Sequence, residues 1–147
     1  MAGTGNARPA RLRRGFLILF SIVFAVELAT GIALWRVHEL LEDSGQAPAW
    51  NGAVRALHGA LTPVLAALFG YLCAFHIPAG WRMKTNRISG ALIILGFVLL
   101  FITAIGLYYA DAKHLHASIH ITSGFLLPFA LGWHVISGYR SAAVKQS

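Results

Sequence analysis

The sequence predicts an all-α protein, a four-helix transmembrane bundle built as a duplicated two-helix hairpin. Three observations carry that expectation. The chain of 147 residues is 57% hydrophobic and 12% charged, about half the charge fraction of an average soluble domain. Four windows, 15–36, 54–79, 88–110 and 117–139, each hold an apolar run of the roughly 20 residues that a helix needs to cross a bilayer. Finally, HIPAGWR at 76–82 and HVISGYR at 134–140 are near copies of one another.

Taken in order, residues 1–14 form a basic tail with Arg8, Arg11, Arg13 and Arg14. The apolar run after it is longer than the core of a secretory signal and carries Glu27 in its middle, so it reads as a retained span. The loop 38–53 starts polar and turns irregular at Gly45, Pro48 and Gly52. Span two holds His58, Pro63 and His76, and a basic loop with Arg82, Lys84 and Arg87 leads into span three. A short loop around Asp111 and Lys113 precedes span four, and residues 141–147 form a C-terminal tail. Residues 15–140 therefore make one membrane domain. Basic residues crowd the N-terminus, the second loop and the C-terminus, which by the positive-inside rule places both termini in the cytoplasm. A bacterial inner membrane is the expected setting. The net charge of +7 is then mostly an orientation signal, and nucleic acid is not an expected partner.

The repeat extends beyond the opening match. TGIALW at 30–35 resembles TAIGLY at 103–108, a shift of 73 that also aligns Arg14 with Arg87. The second helices align with a shift of 58, because the loop in the first hairpin is longer. Parallel repeats of this kind place spans two and four side by side, running in the same direction.

Ionisable groups within a bilayer are costly and mark function by default. Five of seven histidines (His58, His76, His116, His120 and His134) lie in or against spans two and four. At about 100° per residue, His58 and His76 share one helix face, and His120 and His134 nearly do. Two co-directional helices then present one imidazole each at an outer and an inner level. Neutral imidazole is a good ligand for iron, and histidines on facing helices are the means of clamping a haem between them. The expected pairs are His58 with His120, outside, and His76 with His134, inside. Gly124, one turn after His120, leaves room for a porphyrin face, as does Gly132 just before His134. Arg82 and Arg140, near the inner headgroups, and Arg55 outside are placed to meet haem propionates. Two questions stay open. His58 and His76 are 18 residues apart, against 14 for His120 and His134. The excess, about 6 Å of helix, calls for a kink at Pro63 or for His116 as the outer ligand in place of His120. A protein with one haem, on the inner pair, also fits.

SIHITSGFLLPFALGWHVISGYR, residues 118–140, resembles the haem-binding helix of the membrane cytochrome b superfamily. That family includes quinol-oxidising cytochromes b, small di-haem b-type cytochromes and the flavinylation-associated cytochromes. The resemblance covers spans two to four. It implies non-covalent haem b, transmembrane electron transfer and often a quinone site, and it supports His120 and His134 more firmly than His58 and His76. Cys73 is the sole cysteine, so covalent attachment through a paired-cysteine motif is excluded. With no soluble catalytic domain and no nucleotide-binding glycine motif, an electron-transfer subunit with redox partner proteins is expected in preference to a complete enzyme.

Other residues carry plainer expectations. His114 and His116 read as a solvated loop cluster with Asp111 and Lys113, and His38 as interfacial. Trp and Tyr near the helix ends read as interfacial belts in contact with lipid. Glu27 reads either as a proton carrier to a quinone or as a protonated group bonded to Thr30 or Thr103. Rival functions are a small proton-coupled transporter or channel subunit, and a structural subunit whose histidines lock helices together.

Overall fold

The computed structural model describes residues 14–82 and 86–144, which are all-α. Four helices follow the four apolar windows: α1 (Arg14–Ser44), α2 (Asn51–Arg82), α3 (Arg87–Tyr109) and α4 (Lys113–Val144). All four are long and apolar enough to cross a membrane. The chain is a four-helix bundle of the integral, multi-pass membrane class. Arg8, Arg11, Arg13, Lys84 and Lys145, which contribute to the expected orientation, lie outside the described residues.

The helix ends reflect local chemistry. α1 runs on through the charged stretch after Trp35, stiffened by Arg36–Glu39 and His38–Glu42 pairs one turn apart. It stops at Gly45, whose φ of 70° suits glycine and whose N–H bonds the Leu41 carbonyl at 3.0 Å. Asn86, also left-handed with φ 55°, precedes α3 and accepts the Gly90 N–H at 3.0 Å; asparagine tolerates this conformation better than most residues. α4 begins at Lys113, so His114 and His116 are helical, against the expectation of a loop. It also continues to Val144, making the first part of the expected tail helical.

α2 contains the one irregular stretch among the described helices. Leu72–His76 is π-helical, between α-helical Asn51–Tyr71 and Ile77–Arg82. A π-turn packs an extra residue into the turn and re-aims the side chains beyond it. The expected adjustment at Pro63 is not where regularity breaks: the helix carries Pro63 inside it, and the break comes later.

α1 packs along α2 and α3 along α4, while α1 also touches α4. The buried centre is Phe97, with Val23, Leu65, Phe69, Ile93 and Leu127 around it. Phe69 and Phe97 stack at 4.5 Å across the two hairpins. The polarity is that of a protein solvated by lipid. Glu27, Thr30, Ser89, Thr103 and Ser123 are buried, whereas Ile88 (72% exposed) and Phe129 (75%) face outward. In water such outward residues would form an aggregating surface; hydrocarbon is their natural solvent.

Candidate functional site

The bundle brings four of the histidines together as two pairs. His58 on α2 faces His120 on α4 with ring centres 6.4 Å apart and ring planes at 78°. His76 faces His134, again at 6.4 Å, with planes at 79°. Because N-terminal pairs with N-terminal and C-terminal with C-terminal, α2 and α4 run in the same direction. The two pairs share one geometry at two levels of the bundle; His76 and His134 are equivalent in the repeat, whereas the repeat aligns His58 with His116 and not with His120.

Hydroxyls on the neighbouring helices hydrogen-bond three of these rings. Thr30 Oγ1 donates to the Val26 carbonyl at 2.8 Å and lies 2.9 Å from His58 Nδ1. Thr103 Oγ1 donates to the Leu99 carbonyl at 2.6 Å and lies 3.0 Å from His120 Nδ1. Ser89 Oγ donates to the Asn86 carbonyl at 3.1 Å and lies 2.9 Å from His134 Nδ1. A hydroxyl has one proton to give. When it goes to the nearby main-chain carbonyl, the oxygen accepts from Nδ1–H of the histidine. That assignment leaves Nε2 of all three imidazoles unprotonated, with its lone pair available. An outer partner on one ring nitrogen, freeing the other as ligand, is the usual arrangement around metal-bound histidine.

His58 has a second neighbour. Glu27 is buried, and its Oε2 lies 2.7 Å from His58 Nδ1 without making a well-directed hydrogen bond. Glu27 does not bond the Thr30 side chain as expected; the Thr30 hydroxyl reaches the Glu27 main-chain carbonyl instead, at 3.0 Å.

His116 is not opposite His58. Its ring lies against Gly106 on α3, so close that a β-carbon there would overlap it. Gly106 is buried, and His116 Nδ1 has no hydrogen-bond partner. Of the two candidate partners for His58, the ring in reach is that of His120.

Beside the His58–His120 pair lies a cavity of about 100 Å³, partly open to the outside. Glu27, Gly31, Thr62, Phe101, Gly124 and Phe125 are among the residues lining it. Gly124 thus sits where a gap was expected. Two glycines not singled out in the sequence matter as much. A β-carbon at Gly31 would stand 3.4 Å from His58 Cε1, and one at Gly90 3.7 Å from His134 Cε1. Arg55, Arg82 and Arg140 are exposed, and none engages a side-chain partner among the described residues.

No family model, curated protein or solved structure matches the chain. The site must be read from its own chemistry.

Among the described residues no group of three or more His, Cys, Asp or Glu is arranged to hold a metal ion. The protein offers pairs of imidazoles, which suit a metal that arrives with its own equatorial ligands. A metal–imidazole bond of about 2.0–2.1 Å, plus about 1.1 Å from nitrogen to ring centre on each side, separates two trans imidazoles by roughly 6.3 Å. Both observed separations fit it. The hydroxyls at the back of three of the four rings were not anticipated from the sequence. Thr30 and Thr103 occupy the same place in the repeat, which was the available signal; Ser89 had none.

Proposed function

We propose that the chain is a b-type cytochrome subunit carrying electrons across the bilayer through two haem b groups, one between His58 and His120 and one between His76 and His134. The observation that supports this best is the repeated 6.4 Å separation of facing imidazoles, with Nδ1 tied back by a hydroxyl in three of the four. A haem supplies reversible one-electron chemistry at iron. The chain's own contribution is to hold ligands and exclude water. His58, His76, His120 and His134 would hold the two irons, and Thr30, Thr103 and Ser89 would orient the rings of His58, His120 and His134. Gly31 and Gly124 keep the space beside the His58–His120 pair open. Arg55, Arg82 and Arg140 are free to bind propionates by charge-assisted hydrogen bonds. A quinone and redox partner proteins are the proposed donors and acceptors, and both termini are proposed to face the cytoplasm.

The test is a reduced-minus-oxidised spectrum of the purified, haem-replete protein, with haem counted per chain. The α-band of six-coordinate haem b and two haems per chain are expected. His120→Ala and His134→Ala should each lose one haem, while His116→Ala should retain both. A protein that takes up no haem would refute the proposal and leave its histidines as interhelical hydrogen-bonding groups.

A further inference from the structure

The duplicated design is broken at Glu27, close to the ligands. Position 27 aligns, at the shift of 73 that superposes Thr30 on Thr103, with Leu100. Thr30 and Thr103 do the same work, each holding a histidine Nδ1. Glu27 has no such counterpart: it adds a buried carboxylate 2.7 Å from His58 Nδ1. His120 and His134 have a hydroxyl alone at the equivalent nitrogen. Glu27 also lines the cavity beside the His58–His120 pair.

Resting on the di-haem reading, we infer that Glu27 is a positioning and tuning residue that makes the His58–His120 site the lower-potential of the two. A carboxylate beside the ring polarises it and makes Nε2 a stronger electron donor. Ionised, the same carboxylate in surroundings of low dielectric acts in the same sense by favouring the oxidised iron, which carries the greater positive charge. The His76–His134 site has no carboxylate beside either ring among the described residues. Electrons entering the protein therefore settle first on the His76–His134 site, and transfer from the other site to it runs downhill.

Equilibrium redox titration of the full-length, haem-loaded protein tests this. Two midpoints are expected, the lower one missing from His120→Ala and the higher one from His134→Ala. Glu27→Gln keeps the size of the side chain and removes its charge; Glu27→Leu installs the residue found in the other repeat. Both should raise the lower midpoint and leave the higher one in place, narrowing the gap. The electron paramagnetic resonance signal of the oxidised His58–His120 haem should move in the same variants, reporting a weaker ligand without reference to activity. The inference is overturned if neither midpoint moves, or if the one that moves is that lost in His134→Ala. It is also overturned if both variants lose the His58–His120 haem altogether, which would make Glu27 a structural requirement. Absence of haem from the unaltered protein would instead sink the cytochrome reading itself.

Discussion

At the scale of single residues, the site depends on hydroxyls that bond a main-chain carbonyl and a ring at once. Thr103 bonds both the Leu99 carbonyl and His120 Nδ1, and with its proton on the carbonyl it accepts from the ring. Thr103→Val keeps the shape and removes the acceptor, freeing the His120 ring to flip tautomer or rotate. Loss of such an outer partner typically costs about 10–100-fold in metal affinity. Haem titration of the apo-protein should show a loss of that size at one site and none at the other. These hydroxyls are the least legible part of the site in the sequence. Thr30 and His58, or Ser89 and His134, are on different helices, and only the packed bundle brings them into contact. The choice of His120 over His116 was likewise hidden, since it depends on Gly106 offering His116 room to lie against it.

At the scale of elements, the π-turn decides where His76 points. It has no sequence signature comparable to proline, which is why Pro63 drew attention instead. Deleting Ala74 removes one residue from the turn and restores a regular α-helix, rotating everything beyond it by about 100°. His76 then leaves His134, while His58 stays opposite His120. The deletion variant should hold half the haem of the unaltered protein by pyridine haemochrome assay, whereas Pro63→Ala should hold the full amount. The spans themselves were legible to within a few residues at most ends, because each is an apolar run of membrane length bounded by polar or turn-forming residues. The extensions of α1 to Ser44 and of α4 back to Lys113 were not, because those turns are polar.

At the scale of the whole molecule, lipid outside gives little hydrophobic drive for helix association, and close packing takes over. Phe97, fully buried, touches Phe69, Phe20, Phe24 and Phe101 and ties the two hairpins together between the histidine levels. Phe97→Ala leaves a cavity there, and the usual cost of such a truncation is about 3–5 kcal/mol. Unfolding in mixed micelles should show a loss of that order, with the exposed Phe129→Ala near neutral.

Every histidine pair takes one ring from each hairpin and neither hairpin holds a pair alone. A gene half as long, encoding one hairpin that associates as a twofold homodimer, would already assemble the His76–His134 site from two equivalent rings. Fusing two copies end to end releases each position from serving twice. An acidic side chain at one copy of a position, with leucine at the other, is a difference that such a symmetric ancestor was unable to make.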